Sequence, residues 1–544
     1  MTARLAVLSG SFLLWATVHL PASDATHSGR CGTLAVSEVQ RVQELEAGIQ
    51  SDRPRPVLPL YLDAPSGWFR VHYAITGPDA VPDADDDGDG IPDYVQETII
   101  ALDRSWNIQQ QYQAPPQPLS DGMAGGSPAL DIYLRDLAMA GPAGAGYYGI
   151  TIPDSLVSSG VGRWPRFTTW LEVDNDFAPG DTNVYGDTVF GTTGVAGLRI
   201  TCAHELHHVA QLAQFGTANV QLMLYEQMAT YMELICYPEY DDWRIYATKF
   251  FRDPAAYALG DASAFAGYVW GWFPRVYGAS DVQVYAGVFS AMQQGERPFT
   301  AMVQATAAIG HPLDSTFTRL LPLLFYTGDR AGDTTTTAGP PTPELLPTLS
   351  WHRAEIAQPP AVLSSGELRP FEVRALQFTI PTTDGAEPVS TSVLLSWTNL
   401  EAYQSTEFPS RRGYQLVLQR SPDERFQPIA GTSWGVRIEP ADVTMWIDNA
   451  ATVRPAQPYP LPVALQTDPT VYVPVPGALP GDPVVVHLRT SAMGMIYEHR
   501  GTVQYDRDRI VAQVPLPSVL VPGVYLLTAD CNGTTVLHKI VVQR

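Results

Sequence analysis

Residues 204–208 read His-Glu-Leu-His-His, and Glu226 stands eighteen positions after His208. No other feature constrains the fold as much, because the two pieces meet only if two helices fold back on each other. Four residues turn an α-helix by about 400°, so His204 and His208 lie one above the other on a single face. Glu205 lies about 100° further round. The small, apolar run Gly194 to Thr201 leads into the motif. Leu206, Val209, Leu212 and Phe215 continue the helical pattern, and Gly216 is placed to end it. A second helix is expected from about Asn219 to Cys236, stopping before Pro238. Glu226 sits in its middle, so a short antiparallel connection brings that carboxylate over the two histidines.

Two imidazoles and one carboxylate, with a fourth position open, form the ligand set of a catalytic zinc ion rather than a structural one. His204, His208 and Glu226 are therefore the expected zinc ligands. Glu205, beside the open position, is the expected general base toward water. Glu233 is the rival third ligand, and spacing favours Glu226. Completion by a third histidine after a glycine fails: Gln211 stands where that glycine would be, and no histidine follows until His311. A plainer arrangement, in which buried His and Glu satisfy only each other, has the separate presence of Glu226 against it. His207 is expected in an outer layer or at the surface, with no role. Tyr225 and Tyr231 are expected to pack, and Tyr268 is a weak candidate for stabilising an oxyanion.

The string AHELHHVAQ (203–211) followed by YEQMATYMELICYPEY (225–240) resembles the gluzincin metallopeptidases, in which HExxH is completed by a glutamate on the next helix. It resembles more closely a myxobacterial-type family of secreted bacterial metalloproteases. FRVHYAITGPDAVPDADDDGDGIPDYVQE (69–97), ALDIYLRDL (129–137), YYGITIP (147–153), WLEVDND (170–176) and FYTGDRA (325–331) extend the resemblance over about 60–331. It implies His204, His208 and Glu226 as zinc ligands and Glu205 as general base. Gln227 departs from the glycine that many gluzincins carry there, which removes no ligand.

Ahead of this pair, Asp85-Asp-Asp87-Gly-Asp89-Gly-Ile91-Pro-Asp93 places carboxylates at alternate positions, with Gly90 at the tight turn. That is the first half of a calcium loop. Asp85, Asp87, Asp89, the Ile91 carbonyl and Asp93 are the expected oxygen ligands. The twelfth position is Gln96 rather than a bidentate Glu, with Glu97 one step later, which weakens the site or shifts its register. The ion would be structural, fixing the loop 85–97 against the helix that follows. The alternative is a solvated acidic turn.

A chain of 544 residues is too long for one core. Residues 1–25 read as a signal peptide: Arg4, a mostly apolar run from Leu5 to Leu20, then Ser23-Asp24-Ala25. Residues 26–55 form an N-terminal extension or pro-segment with a helical stretch from Ser37 to Ile49. Residues 56–330 form the expected zinc metallopeptidase domain. Strand-like runs at Trp68–Ala74, Leu130–Leu134 and Thr168–Val173 precede the helix pair, and helical runs at Phe265–Tyr277 and Phe299–Ala308 follow it. Strands followed by helices suggest an α+β zincin-like core, and its strand nearest the metal helix is expected to bind an extended peptide. Residues 331–347 read as a linker and 348–467 as a β-sandwich. Residues 468–544 read as a C-terminal β domain, whose ending GVYLLTADCNGTTVLHKIVVQR resembles the sorting domain of type IX secretion and so implies a secretion-machinery partner.

Net charge is −23, and only Lys249 and Lys539 are lysines, so 31 of the 33 basic residues are arginine. That balance argues against nucleic-acid binding, and no later stretch is long and apolar enough to span a bilayer. Export permits disulfides. A Cys202–Cys236 bridge would clamp the helix pair. Cys31, in Gly-Arg-Cys-Gly, is similar to a pro-segment cysteine that blocks zinc, but a disulfide or free thiol is the plainer expectation. Together these features predict a secreted or cell-surface zinc metallopeptidase acting on a protein or peptide. The alternatives are a surface- or carbohydrate-binding β-domain protein with a relic site, and a zinc hydrolase of non-peptide amides or esters.

Overall fold

The computed structural model describes Cys31, Thr33, Leu45 and residues 54–543, except 113–118, 141–143, 159–163, 217–220, 262, 334–338, 356–360, 382–389, 401–411, 421–426, 429–433, 440–442, 450–457, 459–462, 467–468, 476–480, 491–493, 507–508 and 532–533. The expected signal peptide, and the expected helix Ser37–Ile49 apart from Leu45, lie outside the described residues.

The first lobe is a five-stranded sheet. Its strands are β1 (Leu60–Asp63), β2 (Phe69–Tyr73), β3 (Leu130–Arg135), β4 (Gly149–Ser158) and β5 (Arg166–Asp174), in the order β1-β2-β3-β5-β4. The β2–β3 and β3–β5 pairs are parallel, and β1 and β4 run antiparallel at the edges. Successive residues of a strand point to opposite faces, so alternate positions of these strands build one apolar face. Phe69, Val71, Ile132, Leu134, Leu171 and Val173 are accordingly all fully buried. On one face they meet α1 (Asp93–Gln109) and α2 (Gly194–Phe215), through Val95, Ile99 and Leu102 of α1 and Leu198, Leu206 and Val209 of α2. On the other face Ile150, Ile152, Tyr133 and Trp170 pack together, with the Arg55 guanidinium 5.0 Å over the Trp170 ring.

The second lobe is helical: α3 (Leu222–Cys236), α4 (Trp243–Arg252), α5 (Ala264–Val269), a 3₁₀ segment Phe273–Ser280, α6 (Asp281–Gln293), α7 (Pro298–Ala308) and α8 (Leu313–Leu323). The single helix expected over Phe265–Tyr277 is broken in two. Pro274 cannot continue the α-helical hydrogen bonding, and Gly278 takes a φ of 57°. An aromatic core of Phe250, Trp270, Trp272, Phe273 and Phe317 fills this lobe.

Two four-stranded sheets follow. Their strands are β6 (His352–Glu355), β7 (Ala361–Leu368), β8 (Val373–Pro381), β9 (Ser390–Asn399), β10 (Arg412–Arg420), β11 (Gln427–Pro428), β12 (Trp434–Glu439) and β13 (Val443–Asn449), in the orders β11-β12-β10-β7 and β13-β9-β8-β6. Trp397 of one sheet meets Tyr414 of the other with ring centroids 5.7 Å apart. The first of these regions is not detached from the helical lobe. Phe371, just before β8, packs on Phe299 and Phe317, and Leu346 and Leu349 are buried in the same cluster.

The chain ends in a nearly closed, barrel-like sheet of seven strands. These are β14 (Val463–Ala464), β15 (Thr470–Pro474), β16 (Pro483–Thr490), β17 (Met495–Asp506), β18 (Arg509–Pro515), β19 (Gly523–Cys531) and β20 (Thr534–Gln543), ordered β14-β20-β19-β16-β17-β18-β15 around a core of Val471, Val486, Leu488, Val514, Leu527 and Ile540. No helix among the described residues is long and apolar enough to cross a membrane.

Candidate metal centre

Helix α2 lies between the sheet and the helical lobe, and every residue from Ile200 to Phe215 is buried. A helix enclosed on all sides must satisfy its polar side chains internally. His204, Glu205, His207, His208 and Gln211 therefore mark what surrounds it.

His204 and His208 face α3, as helical spacing requires. Their Nε2 atoms are 3.1 Å apart, and Glu226 Oε2 lies 3.1 Å from His204 Nε2 and 3.6 Å from His208 Nε2. The other nitrogen of each ring has its own acceptor. His204 Nδ1 donates to Glu233 Oε1 at 2.6 Å, and His208 Nδ1 donates to Gln211 Oε1 at 2.7 Å. Those bonds direct both Nε2 atoms toward the centre, which is how metal-binding histidines are held. Glu233, the rival ligand on spacing, thus stands behind His204.

The cluster balances the Glu226 charge with positive charge on its histidines. Burial pulls the His204 pKa down, but hydrogen bonds to Glu226 and Glu233 outweigh it and raise it to about 10. Burial pushes Glu226 up, but the two histidines outweigh that and bring it to about 2. A buried carboxylate thus stays charged only by drawing positive charge onto its neighbours. Zinc suits the donor set of two imidazole nitrogens and one carboxylate oxygen. Ligands about 2.0–2.1 Å from a tetrahedral zinc stand about 3.4 Å from one another, close to the separations seen here.

Glu205 points from the same helix toward β4. Its Oε2 accepts from the hydroxyls of Thr151 and Thr33, both at 2.8 Å. Only glycine at 149 allows this approach: a Cβ there would lie 2.6 Å from Thr201 Cγ2 and 2.9 Å from Glu205 Cγ. Strand β4 is the sheet edge beside the motif, yet it was not among the runs read as strands. Pro153 breaks its pattern, and a strand carries proline only at an edge, where that N–H needs no ladder partner.

Tyr268 enters from α5, which reaches α3 at Gly267, where a Cβ would lie 2.4 Å from Glu226 Cβ. Its ring stacks on His204 at 5.8 Å, and burial with the Glu226 charge pushes its pKa well above the usual value. Tyr225 and Tyr231 pack as expected, their hydroxyls donating to the Gly216 carbonyl and to Asp281. His207 is fully buried and pairs with Gln109 of α1, away from the cluster.

One more residue joins the centre. Ligand-type atoms of Cys31, His204, His208 and Glu226 all lie within 4.8 Å of one another. All four cysteines are free thiols, so the Cys202–Cys236 bridge does not form. Cys202 is near Glu97 and Cys236 is beside Ser105 and Gln109, levels two to three turns apart on α1.

In the acidic loop, Asp85, Asp87 and Asp93 group their oxygens within 4.8 Å. Asp85 accepts from the Gly88, Asp89 and Gly90 N–H groups, and Gly88 and Gly90 take φ of 73° and 87°. Asp89 stands outside that group. One of its oxygens takes the Ile91 N–H at 2.9 Å and the other the Gln96 amide at 3.0 Å. Gln96, where a calcium loop has a bidentate carboxylate, thus donates a hydrogen bond to Asp89 instead of offering a carboxylate ligand.

No family model, curated protein or solved structure matches the chain.

Proposed function

We propose that the protein is a secreted zinc-dependent metallopeptidase of the gluzincin type, with calcium as a structural ion in loop 85–97. One observation carries this: two histidine nitrogens and a carboxylate oxygen converge in a buried cluster, and each histidine is oriented from behind by its own acceptor. Zinc held there by His204, His208 and Glu226 would polarise a scissile carbonyl and lower the pKa of water at its open position to about 7.

The chain's own groups do the rest. Glu205 Oε2, fixed by the Thr151 hydroxyl, accepts the proton of the attacking water and delivers it to the leaving amine. Tyr268 keeps its proton beside Glu226 and is the proposed donor to a developing oxyanion. Strand β4 lies at the sheet edge beside Glu205, where an extended peptide could pair in place of the N-terminal residues, which favours peptides over compact amides or esters. The N-terminal leader and the C-terminal β domain, taken as an export signal and a sorting domain, place this activity outside the cell or at its surface.

The test is zinc content and casein hydrolysis for the chain beginning at Pro54, with and without Glu205→Gln. One zinc in both, with cleavage only in the unsubstituted protein, is expected. No zinc in the unsubstituted protein would overturn the assignment in favour of a surface-binding role. Zinc without peptide cleavage would move the substrate class to other amides and esters.

A further inference from the structure

Cys31 and Thr33 precede the first strand by more than twenty residues, yet both lie buried against the metal centre. Cys31 bridges to Gly149 in the parallel sense, at the outer edge of β4. Its sulfur is within 4.8 Å of the His204 and His208 nitrogens and the Glu226 oxygen. The Thr33 N–H donates back to Cys31 Sγ at 3.3 Å, which ties the segment into a turn. The Thr33 hydroxyl donates to Glu205 Oε2 at 2.8 Å and accepts from the Thr151 N–H at 2.7 Å.

Cys31 and Thr33 thus fill three places that peptide hydrolysis needs free. The sulfur stands where a fourth ligand would bind. The hydroxyl covers the oxygen of the base. At Gly149 and Thr151 the two residues also occupy the strand edge that an extended substrate would pair with. Packing alone does not explain the sulfur. A buried free cysteine ordinarily behaves as a small hydrophobe, and Cys202 and Cys236 do so in the apolar core beneath α2. Cys31 instead sits among two imidazoles and two carboxylates, beside Glu205 and Glu226. Thiolate is also a preferred zinc ligand.

We infer that Cys31 is a fourth zinc ligand in the chain as made, and that the segment around Cys31 and Thr33 holds the site latent until it is withdrawn, an inference that rests on the zinc site proposed above. On coordination the S–H bond breaks, the proton leaves to solvent, and sulfur takes the place of water. Withdrawal reverses this, with water entering and the thiol regaining its proton. Further along, Leu45 packs with Phe167 and Leu212, and the Arg55 guanidinium is paired with Asp121, Asp131 and Asp154. A cut before Arg55 leaves the Arg55 anchor in place and separates Cys31, Thr33 and Leu45 from the rest of the chain, so that they can be withdrawn.

The experiment loads the full chain with Co²⁺ in place of zinc and reads metal content and the near-ultraviolet thiolate-to-cobalt absorption. Wild type, Cys31→Ser and Cys202→Ser are compared. One cobalt per chain in all three is expected, with the thiolate band lost only in Cys31→Ser. Casein hydrolysis should rise on the order of tenfold in Cys31→Ser if the latent form holds about nine-tenths of the population. Cobalt bound to wild type without a thiolate band overturns this inference and leaves the zinc site standing. No cobalt in wild type overturns both. Should Cys31→Ser fold poorly, alkylation of wild type mapped to Cys31 decides the matter. Protection with metal and labelling after chelation support coordination, and equal labelling in both refutes it.

Discussion

Glu233 never faces the centre of the cluster, yet it decides how His204 presents its lone pair. Replacing it with Gln exchanges a charged acceptor for a neutral one at a buried 2.6 Å hydrogen bond. Outer partners of this kind are worth roughly 10–100-fold in metal affinity. Glu233→Gln should therefore lower zinc affinity by about that factor, read by competition with a chromogenic chelator, while leaving the zinc stoichiometry at saturation unchanged. Asp174 offers a second test at this scale. Burial, which outweighs hydrogen bonds from the N–H groups of Leu137, Phe177 and Asp176, raises its pKa from 3.8 to about 7. The folded state then binds its proton more tightly than the unfolded chain does. Its contribution favours folding at low pH and is lost as pH rises from about 4 to 7. Asp174→Asn should flatten that part of the stability–pH curve, measured by urea unfolding. An unchanged slope would mean that the three N–H donors keep the carboxylate charged.

Helix α2 is the element on which the centre depends, because it carries both histidines and the base and is buried from Ile200 to its end. Leu206 lies between Glu205 and His207 and packs into the sheet core with no exposed surface. Leu206→Ala should cost about 2–5 kcal/mol in denaturant unfolding and loosen zinc binding along with it. The loop before α1 gives a graded test. Gln96→Glu replaces an amide donor with a carboxylate at the position where calcium loops bind bidentately. Calcium should then raise the melting temperature more in the variant than in wild type, and equal shifts would count against calcium there. The helices were readable from sequence because 3.6-residue periodicity is a local property. Strand β4 was not. Its apolar residues share the segment with Gly149 and Pro153, and each is there for a neighbour that sequence spacing does not reveal.

Across the whole molecule, core continuity differs from the linker pattern. The stretch 331–347 has the composition of a linker, but Phe371 packs against α7 and α8, and Arg369 pairs with Asp261 of the helical lobe at 2.7 Å. A chain ending at 347 exposes that apolar face, so it should be less soluble and melt at lower temperature than the full chain. The terminal seven-stranded sheet builds its core from its own strands, and residues 458–544 should melt as a separate transition in calorimetry. The sequence alone determined that His204 and His208 share a helix face, that Glu226 follows on a second helix, and that the later half is rich in strands. All of these follow from short-range periodicity. Only the tertiary structure decided that Glu233 backs His204, that β4 is the edge beside Glu205, and that Cys31 and Thr33 come to rest in the centre. Those placements join residues as far as 172 positions apart. They depend on which surfaces pack together, and no local pattern in the chain encodes that.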